Sequence, residues 1–146
     1  AARLERLAQE EKERIALDAI TTDKVICGEQ QPESDHFVKM ERSNMGDDEG
    51  VHWRETAGWF SYQMKTNGKK VSKVRVLYGA DARRDAHVYV NDQQIGSFPT
   101  SEGRGTMVTE FEVPASLAGL SQLPVKIAKG EKRVTPHIYE VRLIAE

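Results

Sequence analysis

The chain has 146 residues, a formal net charge of −2, 38% hydrophobic residues and 30% charged residues. This length suits one domain with its own core, and this balance is typical of a water-soluble surface. The lack of positive excess argues against nucleic acid as a partner, and the lack of an apolar run of about 20 residues argues against a membrane span. The single cysteine, Cys27, excludes an internal disulfide.

The first twenty residues are rich in strong helix formers and contain neither glycine nor proline. The sequence therefore predicts a helix from about residue 2 to 19. Its apolar stripe is narrow and is interrupted by Glu11. We interpret residues 1–21 as a connector helix from a preceding domain and residues 22–146 as a β-sandwich domain. A helix that packs on the sheet is the alternative.

The next part of the chain combines short strand patterns with polar stretches. The pattern predicts a strand at 23–28, irregular backbone at 29–35, a strand at 36–42, a loop at 43–50 and a strand at 58–66. Within the last strand, Phe60 alternates with Trp59, so these two rings are expected on opposite faces. Asn67 and Gly68 then predict a hairpin turn.

The second half of the chain repeats this alternation. The predicted inward positions are Val74, Val76, Tyr78, Val88, Val90, Met107, Thr109, Phe111, Val113, Leu123, Val125, Ile127, Tyr139, Val141 and Leu143. His87 and Tyr89 are expected to point outward, and Asn91-Asp92 predicts a hairpin. Seven to nine short strands without alternating helices indicate a mainly β fold, an antiparallel β-sandwich or jelly roll with one N-terminal helix.

Catalytic and metal motifs are weak in this sequence. No G-x-S-x-G elbow occurs, and Cys27 lies in an apolar, β-prone run that predicts an inert, partly buried thiol. A glycosidase requires two carboxylates at a set separation, which the sequence alone cannot select from 23 acidic residues. The four histidines are scattered, and the acidic loop at 47–49 lacks EF-hand spacing. We therefore predict no catalytic residue, metal or cofactor.

An aromatic and polar cluster surrounds the two tryptophans. His52, Arg54 and Glu55 flank Trp53, and Trp59 follows a few residues later. A flat ring beside hydrogen-bonding groups is what recognition of a sugar requires, because the ring contacts the C–H face while polar groups reach the hydroxyls. Tryptophan is also common in cores and at domain interfaces, so a structural role is the alternative.

The same region carries a family resemblance. The runs GEQQPESDH, ERSNMG and HWRETAGWFSYQMK resemble the C-terminal domain of unknown function in proteins of glycoside hydrolase family 127, the β-L-arabinofuranosidase-like group. The likeness extends from about residue 22 to the end, through VNDQQIG and YEVRLI, and implies a galactose-binding-like jelly roll. In such proteins a separate helical barrel holds a zinc with cysteines and a glutamate. That pattern is missing here, since Cys27 is alone.

The resemblance implies a non-catalytic accessory domain that binds carbohydrate or packs against the catalytic barrel of its parent chain. The candidate ligand-binding residues are Trp53, Arg54, His52, Trp59, Glu29, Gln31, His36 and Arg42. Together with Gln30, Glu33 and Asp35, they are expected to form a polar network that orders this segment. The expected partners are the parent's catalytic domain and a plant-type oligosaccharide, in the periplasm or outside the cell. A free-standing glycan-binding or protein-binding module and a carboxylate-dependent glycosidase are the alternatives.

Overall fold

The computed structural model describes residues 2–99 and 103–146, which contain two helices and nine strands. All strand pairs are antiparallel. The elements are α1 (Ala2–Ile20), β1 (Thr21–Ile26), α2 (Gln30–Asp35), β2 (Lys39–Asp48), β3 (Val51–Lys65), β4 (Lys73–Gly79), β5 (Ala86–Val90), β6 (Gln93–Ser97), β7 (Thr106–Glu112), β8 (Gln122–Lys129) and β9 (Ile138–Ile144).

The strands form the two layers of a β-sandwich. One layer has the order β2-β3-β8-β5-β6, and the other has the order β1-β9-β4-β7. A single residue pair, Arg54 with Ile138, joins β3 to β9 and so links the layers. The inward side chains of both layers form one apolar core, in which Phe60, Val76 and Val125 are almost completely buried.

Several predicted elements are confirmed. Helix α1 covers the predicted span, with Ala1 outside the described residues, and it has no buried residue. Its interpretation as a connector stays a prediction. The β5–β6 hairpin turns at Asn91 and Asp92, whose φ angles of 50° and 66° are the left-handed values that a two-residue turn requires. His87 lies outside the core, as expected.

The polar stretch predicted as irregular backbone is instead the short helix α2. Pro32 is compatible with this helix because it lies in the first turn, where a backbone N–H has no intrahelical partner. Glu29 is the N-cap residue. The prediction was wrong because a proline among polar residues favours irregular backbone in a sequence pattern, whereas a proline in the first turn permits a helix.

The prediction of a loop at 43–50 is also wrong, because most of these residues belong to strand β2. Strands β2 and β3 form a long hairpin whose turn is only Glu49 and Gly50, both with left-handed φ angles. Strand β3 accordingly begins at Val51 instead of near residue 58. A bulge in β2 between Glu41 and Ser43 interrupts the alternation, and the mostly polar residues after it leave no apolar strand pattern in the sequence.

Two further predictions need correction. Asn67 and Gly68 do turn the chain with left-handed φ angles, but the flanking strands β3 and β4 do not pair with each other. The turn joins the two layers instead of closing a hairpin. In β9, the pairing with β4 shifts register where Tyr78 faces Ile138, so Ile138 is buried and Tyr139 leaves the core.

Candidate functional site

A buried ion pair lies at the centre of the region that the sequence singled out. Arg54 on β3 donates through Nε and Nη2 to the two carboxylate oxygens of Glu33 on α2, at 2.7 and 2.8 Å. The Tyr62 hydroxyl donates to the same carboxylate at 2.5 Å. Arg54 and Glu33 are each only 3% exposed. The structure therefore places Arg54 inside the protein, where it holds α2 against the sheet.

Side chains of β2 cover this pair from the solvent side. Arg54 Nη1 donates to Ser43 Oγ at 2.9 Å, and the sulfur atoms of Met40 and Met45 lie 3.2 and 3.7 Å from the guanidinium nitrogens. Cys27 lies beneath the same network and is completely buried, which raises the pKa of its thiol to about 12. The thiol is thus inert, and it is more deeply buried than the sequence predicted.

Trp53 packs against the side chain of His137. Its ring stacks on His137 with centroids 3.8 Å apart and planes within 5°. Its six-membered ring also fills the space that a side chain at Gly46 would need. Its Nε1 is buried without a hydrogen-bond partner among the described residues. One face of Trp53 is therefore covered by His137 and is closed to a sugar.

The remaining candidate residues lie in several places. His36 contacts the Pro32 carbonyl at 2.6 Å and Asp23 at 2.8 Å through its two ring nitrogens, so it ties α2 to β1. Gln31 donates to Asp35 on the exposed side of α2. Glu29 precedes that helix as its N-cap, and Gln30 is exposed within it.

Three other candidates lie along the β2–β3 hairpin. His52 is exposed near its turn, and Arg42 occupies the bulge of β2 with a φ of 51°. Trp59 lies on the outer face of β3, where its Nε1 donates to Glu41 at 2.9 Å. The candidates therefore divide into an interior network, a turn and an outer sheet face, and do not surround one cavity.

A cavity of about 390 Å³ opens at one end of the sandwich, and we call it the end pocket. It lies where β4 ends, where β7 begins and where the chain enters β9. Its lining residues are Gly79, Ala80, Asp81, Arg83, Arg84, Gly105, Thr106, His137 and Tyr139. The Trp53 ring supports it from behind through His137.

The charged groups of the end pocket are paired with one another. Asp81 lies 3.2 Å from Arg83 and 3.4 Å from Arg84, and these contacts hold the pKa of the Asp81 carboxyl below its usual range. Glu55 lies behind the lining, 3.3 Å from Arg84 and 3.1 Å from His137. The opposite charges balance within the wall, which favours a neutral polar ligand over an ion.

Tyr139 contributes the aromatic ring of the end pocket. The bulge in β9 directs it away from the core, and its hydroxyl lies against Gly79, where a Cβ would be only 3.2 Å away. Burial, together with the negative charge of Asp48, raises the pKa of the Tyr139 phenol. The hydroxyl therefore stays protonated at neutral pH and can donate a hydrogen bond.

Little in the sequence indicates the end pocket. Strict alternation assigned Tyr139 to the core, because a bulge leaves no reliable mark in a single sequence. Asp81 and Arg84 belong to the polar run DARRD at 81–85, in which the sequence shows no strand alternation and no ligand-binding motif. Their position at the end of a buried strand was the available signal, since binding residues are often on loops that a rigid sheet positions. Among the described residues, no group of three or more metal-ligating side chains occurs.

Solved structures with the same fold include plant ectodomains and carbohydrate-active proteins. The extracellular domain of ANXUR1 from Arabidopsis thaliana matches with a TM-score of 0.61 and 14% identity over 85% of this chain. A family 35 carbohydrate binding module from an environmental isolate matches with a TM-score of 0.51 and 14% identity, over 86% of this chain and 88% of the module. The exo-beta-1,3-galactanase from Phanerochaete chrysosporium, solved with galactose, matches with a TM-score of 0.59 and 10% identity, over 82% of this chain and 28% of the enzyme.

These likenesses confirm the antiparallel β-sandwich fold. The chain spans only 40% to 42% of the length of the plant ectodomains that it matches. None of the helices in the described part of the chain is long and apolar enough to cross a membrane. No curated protein matches the sequence significantly. A family model matches residues 16–144, and because this covers most of the sequence, the chain belongs to DUF6805, a family of unknown function.

Proposed function

We propose that this chain is a non-catalytic glycan-binding module and that its end pocket holds a neutral sugar unit. One observation carries the proposal: the end pocket combines the Tyr139 ring with the paired groups of Asp81 and Arg84 in a cavity of about 390 Å³. Cavities of this size are typical of small-ligand sites, which occur mostly at such junctions of loops on a rigid scaffold.

The chemistry of the lining suits a sugar. Sugar hydroxyls both donate and accept hydrogen bonds, and the end pocket offers the acceptor Asp81, the donor Arg84 and the protonated Tyr139 hydroxyl. The ion pairs fix these groups before a ligand arrives, so less conformational entropy is lost on binding. The Tyr139 ring can contact the C–H face of a pyranose or furanose.

The comparisons support the class of ligand through the fold. One neighbour is described as a carbohydrate binding module and another is an enzyme solved with galactose. An accessory role beside a glycoside hydrolase, in the periplasm or outside the cell, is a further part of this proposal and rests on the resemblance to family 127. The description of DUF6805 does not mention that family, so the link stays a prediction.

Calorimetric titration tests the end pocket directly. The probes are the single sugars galactose and arabinose, added to the wild-type chain and to two variants. We expect Tyr139→Ala to weaken binding about tenfold, because it removes the ring that packs against the sugar. Tyr139→Phe, which removes only the hydroxyl, should weaken it less.

Phe37→Ala is the matched control, since Phe37 is an aromatic residue that is 66% exposed and does not line the end pocket. It should bind like wild type. Absence of binding heat with every probe, or equal affinity of Tyr139→Ala and wild type when circular dichroism shows both to be folded, would contradict the proposal.

Packing against a neighbouring domain is the second candidate function, and a different surface favours it. Met40 and Met45 both contact the Arg54 guanidinium, yet 42% and 55% of their surfaces remain exposed. Exposed apolar side chains that adjoin one another commonly mark interfaces. In the full-length parent chain, hydroxyl-radical footprinting should show both methionines protected relative to this chain alone, and equal oxidation would contradict docking there.

A further inference from the structure

The outer face of the larger layer carries a regular array of polar and aromatic side chains. Two neighbouring cross-strand rows cover this face, and we call them together the outer platform. The first row is Glu41, Trp59, Ala128, His87 and Ser97, and the second is Lys39, Ser61, Lys126, Tyr89 and Gln94. All ten side chains are partly or fully exposed, whereas their inward neighbours form the core.

Two aromatic rings stand on this platform in fixed orientations. Trp59 is held by its hydrogen bond to Glu41 at 2.9 Å, and Tyr89 by the Lys126 ammonium, which lies 4.7 Å from its ring centroid. The rings are two strands and two residues apart, which places their backbones about 12 Å from each other. This separation exceeds one sugar ring, so a single sugar cannot contact both.

A hydrogen-bonded group of polar side chains accompanies the rings. His87 Nδ1 lies 2.6 Å from Ser97 Oγ, and Gln94 Nε2 lies 3.3 Å from the same oxygen. Between Trp59 and His87 the row contains only Ala128, whose side chain is a single methyl group. The platform therefore presents aromatic surface, hydrogen-bond donors and hydrogen-bond acceptors on one face of the layer.

The charge of the platform is nearly balanced. Lys126 has an ion-pair contact with Asp92 at 3.7 Å, and Glu41 and Lys39 belong to adjacent rows. A surface of this kind has little attraction for a polyanion, because opposite charges are interspersed. Its aromatic and polar groups match a chain of neutral rings that carry hydroxyls at their edges.

We infer that the outer platform is a second binding surface for an extended neutral glycan, with one sugar ring against Trp59 and a later ring near Tyr89. The inference rests on the proposed glycan-binding function but uses residues that are separate from the end pocket. The end pocket holds one sugar unit, whereas the platform requires several linked units. Chain length therefore distinguishes the two sites.

The two tryptophans allow each site to be observed separately by fluorescence. Trp53→Phe leaves Trp59 as the single tryptophan and keeps an aromatic ring against His137. Trp59→Phe leaves Trp53, which reports on the end pocket. The probes are galactose and arabinose, and the hexasaccharides of galactan and arabinan.

We expect a hexasaccharide to shift the Trp59 emission of the Trp53→Phe protein saturably, while the single sugars leave it unchanged. Tyr89→Ala, added to this protein, should weaken the hexasaccharide affinity about tenfold, because one of two aromatic contacts is lost. Phe37→Ala is again the control and should have no effect. A Trp59 response to hexasaccharide, together with an affinity of Tyr139→Ala for the single sugars equal to that of wild type, would support the platform and count against the end pocket.

Other results overturn the inference. If hexasaccharides bind with Tyr139-dependent heat but leave the Trp59 emission unchanged, the platform is wrong and the end pocket stands. If single sugars shift the Trp59 emission as strongly as hexasaccharides do, the extended-chain mode is wrong. If no probe produces heat or an emission change, both sites are wrong.

Discussion

The pairing of Arg54 with Glu33 places two opposite charges in the interior of a small sandwich, at a cost in solvation. The cost is offset because both Glu33 oxygens accept from Arg54 and one also accepts from Tyr62. Ser43 satisfies a further Arg54 proton. Each member of this group holds another in place, so the loss of one leaves its partners buried and unpaired.

Glu33→Gln tests this dependence. The substitution keeps the size of the side chain but leaves the Arg54 charge buried without a counter-ion, which costs about 3 to 5 kcal/mol of unfolding free energy. Urea denaturation followed by circular dichroism measures the change. Glu10→Gln on the exposed face of α1 is the control and should shift the value by less than about 0.5 kcal/mol. A loss below about 1 kcal/mol for Glu33→Gln would contradict the assigned role.

The same pair predicts a pH dependence. Burial alone would raise the pKa of Glu33, but hydrogen bonds from Arg54, Tyr62 and the Gly28 backbone outweigh it and leave the pKa below its usual range. The unfolded chain therefore binds a proton at this site at higher pH than the folded chain. The contribution of the Glu33 carboxylate to the free energy of unfolding is complete above the ordinary glutamate pKa of about 4.3. It is lost as the pH falls through the lower pKa of the folded chain.

Urea denaturation at a series of pH values from neutral to strongly acidic measures this contribution. The wild-type chain should lose stability more steeply than Glu33→Gln below about pH 4.3, because the variant lacks the titrating group. If the unfolding free energies of the two proteins fall in parallel throughout the acidic range, Glu33 does not make this pH-dependent contribution.

For individual residues, the sequence predicts burial correctly where inward and outward positions alternate regularly. It fails where contacts with distant parts of the chain decide the position of a side chain. The expected polar network around Glu33 and Arg54 is present, because these polar residues do find mutual partners. The sequence could not show that Arg54 is buried, since its burial depends on Met40 and Met45 from another strand. Nor could it show that Trp53 stacks on a histidine 84 positions away in the chain.

The loop between strands β8 and β9 is fixed by hydrogen bonds to one carboxylate, that of Asp85. Asp85 accepts hydrogen bonds from the backbone N–H groups of Gly130, Glu131 and Lys132 at 2.8 to 3.1 Å. A Cβ at position 130 would lie only 2.5 Å from the Asp85 carboxylate, so a larger residue than Gly130 would displace that side chain. This contact fixes the loop that leads to His137 and the end pocket.

Asp85→Ala should lower the unfolding free energy by about 1 to 3 kcal/mol, since three backbone donors lose their acceptor. Asp85→Asn, which keeps one oxygen, should lose less. Thermal denaturation of the two variants beside wild type measures the effect, with Glu131→Ala as a control because Glu131 is an exposed residue of the same loop. Equal midpoints for Asp85→Ala and wild type would show that the loop does not depend on this contact.

Strand identity was largely predictable because inward and outward residues alternate over β4, β5, β7 and β8. The pairing of the strands was harder to predict. A turn signal such as Asn67-Gly68 indicates that the chain reverses direction, but it does not indicate which strands pair with each other. Helix α2 and the first half of β3 were missed for a common reason. Their side chains are polar, and their burial arises from contacts with each other and with β2.

For the molecule as a whole, the sandwich separates three surfaces. The end pocket lies at one end, the outer platform lies on the face of the larger layer, and Met40 and Met45 lie at its β2 edge. On the proposed function, a glycan in the end pocket and one on the platform would contact different residues, so we expect the two sites to act independently. The exposed Met40 and Met45 of the β2 edge belong to neither site.

The most direct test of glycan binding at the end pocket is a titration of isotope-labelled protein with galactose and arabinose, followed through amide chemical shifts. If the sugar binds in the end pocket, saturable shifts are expected at Ala80, Gly105, His137 and Tyr139, with smaller changes elsewhere. No saturable shift with either sugar, or shifts confined to β2, would contradict it.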